Sequence, residues 1–237
     1  MALKKYRRLG LLVLLAGILT YYWHTRPFRY DPAVFLPKIE RFEALDKEHP
    51  PPLGAVLSSG SSSLEKWTTM EADLAPLPII NRGIGGMRSN DPLIYYDRLV
   101  KPYAPSIIVY YAGDNDPNKK LTGDTFRVFV ERVHADFPAT HIFFLSIKPS
   151  PKRAADWPTS KNINTQVKMY CSTDPRLHFV DVASAELDGE RIREELFQSD
   201  RVHIIPEAYA AWTAALKPEL LKVWAQLHPI QPDNPKK

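Results

Sequence analysis

The chain has 237 residues, 44% of them hydrophobic and 24% charged, which gives enough apolar sequence for a buried core and too much for a disordered or fibrous chain. Lys and Arg number 31 against 27 Asp and Glu, but six of those bases (Lys4, Lys5, Arg7, Arg8, Arg26 and Arg29) fall in the first thirty residues, where no acid stands. The remaining 25 bases face 27 acids, so the excess is not a nucleic-acid footprint on a folded domain, and the single cysteine, Cys171, excludes an intramolecular disulfide and a multi-cysteine zinc site.

Four bases precede residues 9–23, a fifteen-residue stretch without charge. A positive leader before a short apolar run is the pattern of an export signal, and no pair of small residues spaced like A-x-A follows it for cleavage. Tyr21, Tyr22 and Trp23 supply an interfacial aromatic belt. Residues 1–25 therefore read as an uncleaved signal anchor in the inner membrane, leaving the domain on the exported side, periplasmic in a Gram-negative cell. The alternative is cleavage and release into the periplasm.

Residues 26–53 are mixed and end in Pro50-Pro51-Pro52, which reads as a stiff linker. The domain is expected over 54–228, and the Pro- and Lys-rich tail 229–237 is expected to fray. Short apolar runs at 55–58, 78–81, 106–111, 141–147 and 177–182 read as buried strands. Helical patterns fall between and after them, at 64–74, 92–100, 125–136, 161–171 and 207–226. Strands alternating with helices imply crossover units and a mostly parallel five-stranded sheet, an α/β fold whose ligands sit beyond the carboxyl ends of the strands.

Four polar clusters follow predicted strands. Gly60-Ser61-Ser62-Ser63 lies between a strand and a helix, a context that can expose a serine hydroxyl. Gly83-Ile84-Gly85-Gly86 lacks the third glycine of a dinucleotide fingerprint, because Arg88 stands there, and reads instead as a loop letting a backbone N–H approach a substrate oxygen. In Gly113-Asp114-Asn115-Asp116 an asparagine amide at a strand end can donate to an oxyanion. Asp200-Arg201-Val202-His203 spaces a carboxylate so that it can orient an imidazole. Each cluster alone has a plain structural reading as a turn or linker; their chain order gives them weight together.

With those residues in view, the chain resembles the SGNH hydrolase superfamily, which includes the GDSL esterases and lipases, over roughly 54–224. The resemblance rests on the four clusters, with Trp67 after the first and Asn81-Arg82 before the second. It implies a three-layer α/β/α sandwich of the SGNH, flavodoxin-like kind. It also implies Ser62 as nucleophile, His203 as general base and Asp200 as its orienting acid. The oxyanion would be met by N–H groups of Ser62 and Gly86 and by the Asn115 amide. Ser61 stands where the GDSL form has aspartate, and Ala208 where glycine is common; the serine run leaves Ser61 and Ser63 as rival nucleophiles.

The implied activity is hydrolysis of a carboxylic (acyl or acetyl) ester, with no metal and no cofactor. The substrate would be a small-molecule, lipid or glycan ester. An envelope glycan O-acyltransferase using the same residues is the alternative, and an inactive binding module is a third reading. Arg82, which flanks the second cluster, and Arg153, which follows the fourth strand, are candidate contacts for an anionic or polyhydroxylated substrate, and Met87 is a candidate lining of an acyl pocket; solvated arginines and simple packing are the plain alternatives.

Overall fold

Five of the apolar runs become the strands of one sheet: β1 (Val56–Gly60), β2 (Ile79–Gly83), β3 (Ile107–Tyr111), β4 (His141–Leu145) and β5 (Leu177–Val180). The structure is a computed structural model that describes residues 30–229 and divides into two units, one ending at Leu36 and one beginning at Pro37. The described part of the first is a 3-10 turn over Pro32–Phe35, capped by Asp31, whose carboxylate accepts the Ala33 amide at 2.9 Å.

In the second unit the strands run in the order β2-β1-β3-β4-β5, every pairing parallel, with Val56 opposite both Ile79 and Ile107. Each residue of β1 and β3 is buried, as expected of central parallel strands covered on both faces. Alternation divides the side chains between two cores. Ile107, Val109 and Tyr111 pack with Trp67, Trp212 and Leu216, whereas Ile108 and Tyr110 pack with Phe126, Phe129 and Val167. The three layers expected from the sequence are therefore present. Tyr110 illustrates the packing: its ring centroid lies 4.8 Å from Phe129 and 5.2 Å from Phe126, and its hydroxyl donates to the Ser89 carbonyl at 2.8 Å.

The helices, in chain order, are α1 (Leu36–Glu48), α2 (Ser62–Glu65), α3 (Met70–Asp73), α4 (Asp91–Ile94), α5 (Tyr96–Leu99), α6 (Thr122–Asp136), α7 (Trp157–Cys171) and α8 (Tyr209–Leu227). Two patterns expected as single helices are broken. In 64–74 the break spans residues 66–69, where the Trp67 indole N–H and the Thr69 hydroxyl both donate to Asp73, at 2.6 and 2.7 Å, in competition with a continuous helical ladder. In 92–100 it falls at Tyr95 (φ −104°, ψ 20°); neighbouring side chains on a regular helix diverge by about 100°, and the break lets both Tyr95 and Tyr96 turn inward.

The stretch 26–53 is not only a spacer. It holds α1, whose Ile39 is fully buried and whose Glu43 binds Arg98 through two bonds of 2.7 Å. The triple proline follows as a helix stop. A small hairpin, β6 (Leu187–Asp188) and β7 (Arg191–Ile192), was not legible, since two-residue strands carry no period. Among the described residues no helix is long and apolar enough to cross a membrane; the expected anchor at 1–25 and the tail beyond Pro229 lie outside the described residues.

Candidate active site

The connections from β1 and from β3 leave toward opposite sides of the sheet, and the crevice they open lies past the strands' carboxyl ends. All four clusters project there. Gly60 closes β1 at φ +147°, and a β-carbon on it would lie 1.9 Å from the Tyr111 carbonyl oxygen, so the chain can turn only with glycine. The Ser61 amide then bonds that same carbonyl at 2.9 Å, and α2 begins at Ser62.

The three serines meet different partners. Ser61 Oγ donates to Asp114 Oδ1 at 3.1 Å. The Ser63 carbonyl accepts the Tyr209 hydroxyl at 2.8 Å. Ser62 Oγ lies 2.8 Å from His203 Nε2. On the other side of the imidazole, Nδ1 lies 2.5 Å from Asp200 Oδ2, while Asp200 Oδ1 accepts the Val202 and His203 amides at 2.9 and 3.0 Å. Burial pushes the Asp200 carboxyl up, but the hydrogen bonds from His203 and from these two amides outweigh it and hold it well below the usual carboxylate range. An ionised Asp200 accepts a hydrogen bond from Nδ1–H, which keeps the proton on Nδ1 and leaves Nε2 as an acceptor facing the Ser62 hydroxyl.

The turn that carries Asp200 and His203 is pinned from several sides. Arg201 adopts the left-handed region at φ +59°, with its carbonyl held by the Lys152 amide at 3.0 Å. Lys148, almost fully buried, donates from Nζ to the Val202 carbonyl at 2.6 Å. Burial pushes its ammonium pKa down, and the charges of Asp114 and Glu186 pull it back. The Gln198 amide bonds the His203 carbonyl at 2.8 Å. Lys148 was not among the candidates read from the sequence; its place after an apolar strand was the one available signal.

The second and third clusters form one scaffold. Asn81 accepts the Ser58 hydroxyl and the Gly83 amide, at 2.7 and 2.9 Å, and donates to the Leu64 carbonyl at 2.8 Å, tying β2 to the start of the Ser62 helix. A β-carbon on Gly85 would lie 3.8 Å from that of Ser62, and Gly86 follows at φ +85°. Asp116, read from sequence as turn chemistry, is buried and accepts from the Ser89 amide, the Ser89 hydroxyl and the Thr122 hydroxyl within 2.8 Å. It locks the loop after β2 to the loop after β3. Asn115 stands on that lock, its Nδ2 donating to the Met87 carbonyl at 3.0 Å and its Oδ1 accepting from Arg153 at 3.0 Å.

The three candidate substrate contacts have other occupations. Arg82 is drawn to Asp46 of α1 at 2.5 Å, donates to the Tyr103 hydroxyl at 2.7 Å and lies over the Phe42 and Tyr103 rings, 4.7 and 4.9 Å from their centroids. The Met87 side chain is fully buried. Arg153 reaches the site, but its guanidinium donates to the Asp114 carbonyl and to Asn115 Oδ1.

A model of the GDSL-like lipase/acylhydrolase family matches residues 54–211. A comparison with curated proteins finds no match. Among solved structures, the chain is similar to a GDSL-like lipase from Bacteroides thetaiotaomicron, with TM-score 0.67 and 21% identity over 78% of this chain and 97% of that one. It is also similar to a Bacteroides fragilis protein assigned as an acylhydrolase, with TM-score 0.68 and 22% identity over 77% and 95% of the two chains. An acetyl xylan esterase variant from Geobacillus stearothermophilus gives TM-score 0.54 and 16% identity over 72% and 96%. At such identities the structural likeness speaks for the fold. The match over 54–211 speaks for the family: the chain belongs to the GDSL-like lipase/acylhydrolase family, within the SGNH hydrolases, and is a carboxylic ester hydrolase.

Proposed function

We propose that Ser62, His203 and Asp200 form the catalytic triad and that Ser62, Gly86 and Asn115 supply the oxyanion donors for hydrolysis of a carboxylic (acyl or acetyl) ester. The observation that carries the reading is the continuous chain of contacts from Ser62 Oγ through both nitrogens of His203 to Asp200, at 2.8 and 2.5 Å. His203 takes the Ser62 proton as the oxygen attacks the acyl carbonyl, and charge collects on the carbonyl oxygen. The Ser62 and Gly86 amides and the Asn115 side chain meet that charge. His203 then protonates the departing alcohol, and Asp200 stabilises the imidazolium between the two transfers. Water attacks the acyl-enzyme with His203 again as base, which returns the serine and releases the acid. No step calls for a metal or cofactor.

Ester turnover by wild type and Ser62→Ala tests the proposal, with circular dichroism and thermal melts to show that both fold. The expected result is loss of turnover with the melting temperature kept. Undiminished turnover by the folded variant would overturn it. The same assay with a glycan present, read by mass spectrometry, separates hydrolysis from transfer; free acid should dominate over acylated glycan.

A further inference from the structure

Arg153 sits in the 3-10 turn Pro151–Asp156 beyond β4, with its side chain one-third exposed. Its guanidinium spans the loop after β3: one terminal nitrogen donates to the Asp114 carbonyl at 2.8 Å and the other to Asn115 Oδ1 at 3.0 Å. The Asp114 carboxylate lies 3.7 Å away and is itself buried. On the far side of Asn115, Nδ2 donates to the Met87 carbonyl at 3.0 Å.

A carboxamide has one acceptor oxygen and two N–H donors. Here the oxygen rests on a cation and one N–H on a carbonyl, so the amide can point in one sense only. Turned over, it would set its NH₂ against the guanidinium and its oxygen against the Met87 carbonyl, losing both bonds and placing like poles together. The second N–H is left for a substrate oxygen. A cationic donor on Oδ1 also draws electron density from Nδ2, and such chains of hydrogen bonds strengthen one another.

We infer that Arg153 is a positioning residue for the oxyanion donor: it fixes and polarises the Asn115 amide instead of contacting the substrate. This rests on the reading of Asn115 given above. The same turn touches the other half of the site, since the Lys152 amide bonds the Arg201 carbonyl two residues before His203. One short turn thus braces both the donor that meets negative charge and the loop that moves the proton.

The test is a mutant cycle of Arg153→Met, Asn115→Ala and the double variant, with Arg153→Lys as a second, milder change. All are assayed on neutral 4-nitrophenyl acetate and on anionic 4-acetoxybenzoate, with melts to show folding. Arg153→Met should lower kcat about 10-fold or more on both esters, within the ~10²–10³ that removal of an oxyanion donor costs, and leave KM nearly unchanged. Arg153→Lys should recover part of the loss, because one ammonium cannot hold both acceptors as a planar fork does. In the Asn115→Ala background the Arg153 change should cost about twofold or less, the two residues acting as one unit.

Additive losses in the double variant, or wild-type kcat in Arg153→Met, would overturn the inference. So would a rise in KM confined to the anionic ester, which would make Arg153 a substrate contact. Full activity of Asn115→Ala beside an inactive Ser62→Ala would instead strike the oxyanion reading beneath it while sparing the triad.

Discussion

Three consecutive serines with near-identical chemistry are separated by geometry alone. The Ser61 hydroxyl donates to Asp114, Ser63 is buried with its carbonyl receiving Tyr209, and the Ser62 hydroxyl faces His203. Position in the block had favoured Ser62, but nothing in a run of like residues says which hydroxyl a strand-to-helix turn presents. The Asp200–His203 pair was legible because a three-residue spacing is short enough for a side chain to fold back within one loop. The surroundings of Arg82 and Met87 were illegible for the opposite reason: what they meet in the fold, Asp46 and the core, is remote in sequence. At this scale the account predicts that Asp200→Asn keeps the fold but lowers kcat by about 10⁴, because an amide that donates to Nδ1 would enforce the wrong tautomer. Steady-state kinetics on 4-nitrophenyl acetate checks it, and a loss under about tenfold would contradict the role given to Asp200.

At the scale of elements, the strands were read to within two residues at either end, since unbroken apolar runs mark strands buried on both faces. Helices were less legible where side chains compete with the backbone, as Trp67 and Thr69 do for Asp73. The helix α1 was hidden by the prolines around it, although it docks through Ile39, the Glu43–Arg98 pair and a contact of Lys38 with Glu65. Its Asp46 also holds Arg82 and the Tyr103 hydroxyl. Asp46→Ala would leave the mostly buried Arg82 charge unpaired and should cost on the order of 3 kcal/mol of stability. Turnover per folded molecule should stay within about twofold of wild type, because the Arg82 guanidinium is engaged by Asp46 and Tyr103. Urea denaturation and kinetics on the same preparation would show whether stability and activity part in this way; a large rise in KM would restore Arg82 to the site.

For the whole molecule, the strand order β2-β1-β3-β4-β5 brings residues 62, 86, 115 and 203 to one end of the sheet, as alternating strands and helices had implied. What sequence could not convey is the buried polar layer beneath that end. Glu186 is fully buried, accepts the Trp212 indole N–H at 2.7 Å, and has its pKa pushed up to about 7 by burial, against the pull of Trp212 and Lys148. Below pH 4.5 the carboxyl is neutral in folded and unfolded chains alike. From there to about pH 7 the unfolded chain ionises first, so this group's contribution to stability is lost as pH rises through that window. Thermal melts of wild type and Glu186→Gln across pH 4–8 should therefore diverge, with wild type losing ground to the variant as pH rises. Parallel curves would show that Glu186 ionises as freely in the fold as outside it.

The central claim is that Ser62, and neither of its neighbours, is the nucleophile. Fluorophosphonates phosphonylate only an activated serine, so labelling the wild-type protein and locating the adduct by peptide mass spectrometry reads the claim directly. The account predicts one adduct, on Ser62, formed in parallel with loss of ester turnover and missing from folded Ser62→Ala. An adduct on Ser61 or Ser63, or undiminished labelling of Ser62→Ala, would contradict it.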